Sequence, residues 1–298
     1  IGAGVVGRNA ARIAVGMGAQ VFLLDNALEA LRAADLEFAG RVQLRIAHDS
    51  NVRELCRAAD LVIGADGIKS VVRKHVVDTD PPVFTGQVAW RLAIPIERIA
   101  PELRPPVVSS IWCGPNNHAV MYYMRAGQVL NFVGCVERPW EEESWTSRQP
   151  WEELDQDYAG WHPIVRAAID NVDRDQCFRW ALNNRKPVMN WCTDRVALLG
   201  DAVHPTLPYM AQGAAMAIED AAELGRCLAG VVKPVADVPL ALSRYALNRW
   251  QRNARVQARA VRNGQIFHAT GPLRLGRDIA LKLLGYRLLD MPWLYAGA

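Results

Sequence analysis

The sequence predicts an α/β fold in which a parallel sheet with crossover helices carries an appended antiparallel sheet and C-terminal helices. Three observations lead there. Residues 1–65 alternate short apolar runs with helical patterns behind a glycine-rich turn, residues 84–136 switch to period-two alternation, and residues 213–268 are dominated by helical patterns.

The opening segment Gly2-Ala-Gly-Val-Val-Gly7 satisfies G-x-G-x-x-G, and a helical pattern through Gly18 precedes the apolar run Val21–Leu24, which ends at Asp25. Glycine at Gly2, Gly4 and Gly7 permits a tight turn, close approach of backbone to a pyrophosphate, and close packing of helix on strand. An acid about twenty residues later can accept from a ribose hydroxyl, so the pattern is that of a Rossmann-like dinucleotide site. Asp25, in place of a basic residue, favours a free ribose hydroxyl, as in NAD or FAD. The plainer alternative is a glycine-rich helix start without ligand. A helix over 27–38, a strand over 42–47, a helix over 50–58 and a strand over 61–63 complete a βαβαβαβ unit with right-handed crossovers. Ile1 stands directly before Gly2, where such a fingerprint normally follows a full strand, so the first strand is expected to be cut short and the chain to be a fragment.

At Gly64-Ala-Asp-Gly-Ile-Lys-Ser-Val-Val-Arg73 a strand gives way to a helix, with Asp66 before Gly67 placed to cap that helix or to meet a ligand. Val88, Trp90, Leu92 and Ile94 then alternate with Ala89, Arg91 and Ala93, and residues 117–125 and 129–136 form a hairpin across Ala126-Gly127-Gln128. Alternation puts His118, Val120, Tyr122 and Met124 on one face. His118 and Tyr122 could therefore meet one bound ring, with a neutral imidazole accepting a phenol proton. The competing expectation is a histidine satisfied by neighbouring strands and a tyrosine packed in a core. Eight of the ten tryptophans lie between Trp90 and Trp191, where packing is the expectation for them. Residues 141–145 read as a solvated turn.

The stretch from Arg195 to Leu224 reads as strand, loop, helix. The apolar run Val196–Leu199 stops at Gly200-Asp201, Pro205 and Pro208 exclude continued helix, and Gly213-Ala214 opens an alanine-rich helix. A carboxylate at the end of a buried strand can hold hydroxyls, and the free N–H groups after Gly213 can receive negative charge. An ordinary β-loop-α corner would read the same way. Pro234 and Pro239 punctuate a link to a long helix over 240–268, whose recurring arginines are expected on a solvated surface, and residues 281–295 are expected to pack back onto the body.

A chain of 298 residues can bury a substantial core, and a formal charge of +3 points to neither nucleic acid nor a membrane surface as partner. Six scattered cysteines lack CxxC or metal-ligand spacing, so no metal site or disulfide is expected; a cytoplasmic protein without a membrane span follows.

Gly200-Asp201, His204-Pro205, Gln212-Gly213-Ala214 and Glu219-Asp220-Ala221 together resemble the second FAD-binding motif of class A flavoprotein monooxygenases, the group of salicylate hydroxylase and 3-hydroxybenzoate 6-hydroxylase. The decamer ending at Arg73 resembles that family's DG motif, in which the Asp lies beside FAD. The resemblance covers about residues 64–298 and implies Asp66, Gly67, Arg73, Gly200, Asp201, Pro205, Gly213 and Ala214 as FAD-site residues, with Gly2, Gly4, Gly7 and Asp25 of the glycine fingerprint expected to supply the other half of that site. It further implies NADH or NADPH as co-substrate, molecular oxygen, a flavin hydroperoxide, and a hydroxybenzoate-like aromatic substrate lined by His118 and Tyr122. Pro208 departs from the 3-hydroxybenzoate branch, which usually has Gln there. Residues 1–65 are worded differently and resemble the NAD-binding domain of alanine dehydrogenase, with a join near residues 60–65. An NAD-dependent alanine dehydrogenase-like oxidoreductase, or an inactive dinucleotide-binding hybrid, is the alternative. The expected organisation is a dinucleotide-binding segment over 1–83, a substrate sheet over 84–193, and the second FAD motif with closing helices over 194–298.

Overall fold

The computed structural model describes residues 3, 5–16, 18–77, 80–140, 147–229, 231, 234–288 and 290–295. Gly2, Gly4 and the expected turn over 141–145 lie outside these residues. The chain begins with α1 (Val5–Gly16, which holds Gly7), β1 (Phe22–Asp25), α2 (Leu28–Phe38), β2 (Gln43–Ile46), α3 (Asp49–Ala58) and β3 (Val62–Gly64). β1 and β2 pair in parallel from Phe22↔Gln43 to Asp25↔Ile46. Leu31, Ala34 and Phe38, three to four residues apart on α2, close over Leu23 and Ala11 to form a small core.

The parallel strands predicted as one βαβαβαβ unit are divided between two sheets. β3 pairs in parallel with β10 (Val196–Leu198), in register Val62↔Val196 and Gly64↔Leu198, with β9 (Cys192–Thr193) antiparallel on the far side. Among the described residues no ladder joins this sheet to β1–β2. Gly64 permits the close β3–β10 pairing: a Cβ added there would lie 2.7 Å from Val72 and 2.8 Å from Leu198, so glycine lets β3 pack this closely against β10 and the turn beyond it.

Between β3 and β10 the chain inserts α4 (Arg73–Val76), β4 (Val83–Pro95), β5 (Ser110–Cys113), β6 (Asn117–Met124), β7 (Val129–Glu137), α5 (Trp151–Asp157), α6 (Pro163–Asp170) and β8 (Phe178–Asn184). The five strands form an antiparallel sheet ordered β5-β6-β7-β4-β8, in which the predicted hairpin β6–β7 pairs from Asn117↔Val136 to Met124↔Val129. Arg125, Ala126 and Gly127 all have positive φ in the connecting turn. Period-two alternation holds: Trp90, Leu92, Ile94, Ala119, Met121, Leu130 and Phe132 face one core, against Leu154, Tyr158 and Val165 of the α5–α6 layer. Ala89, Cys135 and Leu182 face a second core closed by Leu207, Tyr209, Met210 and Phe267.

The closing helices are α7 (Gly213–Leu228), α8 (Pro234–Phe267), α9 (Gly271–Leu284) and α10 (Pro292–Tyr295). Helix α8 starts six residues before the expected Leu240, so Pro234 opens it and Pro239 lies inside it. Buried Val238 and Leu242 anchor this first part, where packing outweighs the hydrogen bond that Pro239 cannot donate. The expectation that residues 281–295 pack back holds for Met291, Trp293 and Leu294; Leu281, Leu283, Leu284 and Tyr295 are exposed. Among the described residues no helix is long and apolar enough to cross a membrane.

The tightest joint of the antiparallel sheet is Gly134, where an added Cβ would overlap the Tyr158 hydroxyl and lie 2.6 Å from the Phe132 ring. That hydroxyl donates to the His118 carbonyl at 2.9 Å. Gly134→Ala is expected to destabilise the fold by about 1–3 kcal/mol in denaturant unfolding, the usual cost of overpacking; an unchanged midpoint would show that Tyr158 is free to move.

Candidate functional site

Parallel pairing of β3 with β10 brings two motifs far apart in sequence to one sheet edge. Asp66-Gly67 and Gly200-Asp201 both begin two residues beyond the last paired residues, Gly64 and Leu198, at the carboxyl ends where open α/β sheets bind ligands. Arg73, buried at the start of α4, locks them together by donating through Nη1 to the Val203 carbonyl at 2.9 Å and the Ala202 carbonyl at 3.3 Å. Its placement is that of a brace under the site.

Asp66 caps the turn beyond β3: it accepts from Ser70 Oγ at 2.6 Å and from the backbone N–H of Val71 and Val72 at 2.7 and 3.3 Å. Gly67 takes φ +78° there, a conformation suited to glycine. Asp25, at the end of β1, accepts from the Ala3 and Ala27 backbone N–H groups, both at 2.9 Å, and so clasps the fingerprint turn. No hydrogen-bonded strand carries Asp25 to Asp66 or Asp201 among the described residues.

Beyond β10 the chain turns at Gly200, φ +62°, where a Cβ would lie 3.3 Å from Ala217 of α7. Asp201 keeps contact with solvent, yet surrounding protein raises its carboxyl pKa by desolvation, which the nearby His204 opposes. The loop is held from beneath. Asp220 of α7 is fully buried and accepts from Gly200 N at 3.3 Å, Arg249 Nε at 2.9 Å, Asn253 Nδ2 at 3.0 Å and the His204 ring. Burial alone would raise the Asp220 carboxyl; hydrogen bonds from His204, Arg249 and Asn253 outweigh it and hold the pKa below its ordinary value. Arg249 and Arg252 also grip Glu219, so the α8 arginines predicted on a solvated surface include two that face inward to these carboxylates.

Pro205 is buried, and its carbonyl accepts from Gln257 Nε2 at 2.8 Å. Gly213 and Ala214 open α7, whose N-cap residue Gln212 gives no side-chain cap and whose first turn holds no acid. Its first amides therefore remain available to an anion. Beside them the buried Thr206 hydroxyl finds no hydrogen-bond partner, and a Cβ at Gly213 would touch Thr206 Cγ2 at 3.4 Å. An uncapped helix start, an unpartnered hydroxyl and two carboxylates at a parallel sheet edge fit FAD, which presents phosphate oxygens and ribityl and ribose hydroxyls. No three His, Cys, Asp or Glu side chains gather to hold a metal among the described residues, whose cysteines are all free.

His118 and Tyr122 share a face of β6, as alternation requires, about 13 Å apart along the strand. Their settings differ. His118 is buried while Tyr122 is 37% exposed, paired across the sheet with Asn131. The His118 ring lies 5.0 Å from Tyr209 and 5.2 Å from Phe267, and its Nδ1 is 2.7 Å from His268 Nε2. Desolvation, then His268, holds the His118 pKa well below the usual histidine range. Tyr209 and His268 were missed as site residues. Tyr209 stands inside the recognised loop next to Pro208, whereas His268 sits 150 residues from His118 with no local signal.

The family model described as "FAD binding domain" matches residues 39–260. The chain belongs to that family, the FAD-binding fold of the class A aromatic monooxygenases. It is 39% identical over 236 residues to 3-hydroxybenzoate 6-hydroxylase of Polaromonas naphthalenivorans, covering 78% of this chain and 57% of the relative. It is 33% identical over 237 residues to 6-hydroxynicotinate 3-monooxygenase of Pseudomonas fluorescens, covering 78% and 58%. Thus the chain spans a little over half the length of these relatives. Among solved structures it resembles Klebsiella pneumoniae HpxO complexed with FAD and uric acid, with TM-score 0.69, 25% identity, and coverage of 88% of this chain and 69% of that one. A salicylate hydroxylase substrate complex, at TM-score 0.68 and 24% identity over 80% and 62% of the two chains, shares the fold.

The buried carboxylate sets two expectations. Arg249→Met leaves Asp220 without its guanidinium and should cost about 3–5 kcal/mol in denaturant unfolding. Because the folded Asp220 binds fewer protons than the unfolded, its contribution is full above the ordinary aspartate value of about 3.9 and is lost as pH falls through the folded value. Acid unfolding of Asp220→Asn should show a flatter dependence in that window; an identical acid limb would assign it to other groups.

Proposed function

We propose that the chain is the FAD-binding and ring-contacting part of an NADH- or NADPH-using monooxygenase that hydroxylates a hydroxybenzoate-like substrate with molecular oxygen. The observation that carries this reading is the contact of His118 with Tyr209: a buried imidazole on the sheet face meets a ring from the loop between Asp201 and Gly213. The two relatives named above support it, since both names specify a hydroxylated aromatic ring. Free cysteines fit a cytoplasmic setting.

FAD held here would supply oxygen activation, with NADH or NADPH as the reductant. The chain's own residues bind, shape and orient. Asp25, Asp66 and Asp201 offer carboxylates to hydroxyls, the Gly213 and Ala214 amides receive anionic oxygens, and Gly67 and Gly200 let the backbone turn close to the cofactor. Pro205 and Arg73 hold the loop and the DG turn in place. His118, kept neutral by burial, accepts the phenol proton and enriches the ring in electrons; Tyr122 borders the outer end of the same face. The basic form of His118 persists below its ordinary value of 6.5, so the acid limb of activity that it governs falls below that pH.

Reconstitution with FAD, followed by NADH oxidation with and without 3-hydroxybenzoate and detection of the hydroxylated product, tests the proposal. Stimulated oxidation with product is expected, and His118→Asn should lower kcat by about 100-fold or more while FAD affinity stays within about twofold. A chain that cannot retain FAD sinks the reading. Residues 1–38 precede the matched region, and reduction of NAD dependent on alanine would assign the chain to the dehydrogenase-like alternative instead.

A further inference from the structure

One buried side chain on the sheet face is left without partners. Asn131 on β7 is 1% exposed, and among the described residues it is the one side chain whose donor, Nδ2, and acceptor, Oδ1, both lack a hydrogen bond. Alternation places it with Val133 and Cys135, on the face that carries His118 and Tyr122. Asparagine is poorly suited to a strand, and two buried polar atoms without partners oppose folding, so an apolar residue of the same shape would serve the fold better. The amide calls for a partner from outside the fold.

We propose that Asn131 is a specificity-determining residue that holds the polar substituent of the substrate ring, at the end away from the hydroxyl taken by His118. The proposal rests on the hydroxylase reading above. Nδ2 donates to an acceptor such as a carboxylate oxygen, and Oδ1 is free to accept from a donor beside it, as in a carboxamide. His118 pairs across the sheet with Cys135, and Asn131 stands four residues from Cys135 along β7, about 13 Å away. A 3-hydroxybenzoate with a hydrogen bond of about 2.8 Å at each end spans roughly 12 Å, so a ring laid along the strands reaches both groups.

Charge and access fit the assignment. Arg91 on β4, exposed on the same face, pairs with Val133 and lies diagonally across from Asn131, about 7–8 Å away. It has no hydrogen-bond or ion-pair partner among the described residues, so its guanidinium can offset the charge of a carboxylate that the neutral amide holds in place. The direct neighbours of Asn131 are Ala93 on β4 and Tyr122 on β6, both exposed. Tyr122 is the large one. A change of its rotamer, a fast motion for an exposed side chain, uncovers the amide and leaves the tyrosine bordering the substrate. Ala93, Val120 and Val133 around the amide offer the substituent no competing side-chain hydrogen bond.

Ligand binding to the FAD-loaded full chain, followed by the change in flavin absorbance, decides the matter. Wild type should bind 3-hydroxybenzoate and 3-hydroxybenzamide at least about tenfold more tightly than 3-methylphenol, whose apolar substituent offers the amide nothing. Asn131→Leu, which keeps the branched shape, should bring all three within about twofold of one another, and its unfolding midpoint without ligand should not fall. Asn131→Asp keeps the acceptor and loses the donor. It should weaken 3-hydroxybenzoate by about tenfold or more and 3-hydroxybenzamide by less than about threefold, a split that a structural role would not produce. Unchanged selectivity in Asn131→Leu, or an equal loss of all three ligands with a lowered midpoint, overturns the assignment alone and leaves the hydroxylase reading standing. If wild type holds FAD but binds none of the three rings, that reading falls and takes the assignment with it.

Discussion

The interaction on which the rest depends is the burial of Asp220. A carboxylate with no solvent contact is tolerable only when its acceptor positions are filled. Here the donors come from two places, the Gly200 backbone and His204 in the loop and Arg249 and Asn253 on α8, while the carboxylate itself stands on α7. One residue thereby fixes where β10 ends, how α7 points its open N-terminus, and how α8 lies across both. Had Asp220 been apolar, hydrophobic packing could hold the layers together but would not specify the Gly200–His204 path, because dispersion contacts carry little directional information.

From that anchor the loop runs on to Tyr209, which joins the cofactor-binding motif to the antiparallel sheet. The Tyr209 hydroxyl donates to Gln87 Oε1 on β4, and its ring edge meets His118 on β6. A displacement of the loop would therefore move the wall of the proposed ring site together with the proposed FAD contacts. Coupling of this kind suits a reaction in which ring and cofactor must be held at one distance and water kept out.

Local signals were legible wherever chemistry repeats at short range. The period-two run at residues 88–94, the hairpin around Gly127 and the strand-loop-helix at residues 196–224 all stand where alternation and turn residues placed them. Pairing between distant segments was not legible. Nothing in Val62–Gly64 says that its neighbour is Val196–Leu198, 134 residues on, since any short apolar strand of similar length would serve. His268 was hidden for the same reason: at the end of an arginine-rich helix it reads as surface until the fold lays it beside His118.

Helix α8 shows why amphipathic periodicity alone misread that surface. The loop from Leu198 to Tyr209 has little regular structure, so its buried carbonyls need donors from elsewhere. Tyr245 donates to the Leu198 carbonyl, Gln257 to that of Pro205, and Asn263 to that of Tyr209, in the same order along helix and loop. Residues 245, 249, 253 and 257 recur every four positions, so these polar side chains form one buried stripe. From 245 to 263 the helix rises about 27 Å, a span that an extended eleven-residue step of chain can match. Gly264 completes the fit: a Cβ there would lie 2.7 Å from the Tyr209 ring, so a residue that weakens the helix interior is the one that seats the tyrosine. In a hydrophobicity profile such a stripe looks like a solvated face, because asparagine, glutamine and arginine score alike whether they face water or a backbone that has no other partner. The helix is a template for the loop, and the loop's shape is written in polar residues on a buried face.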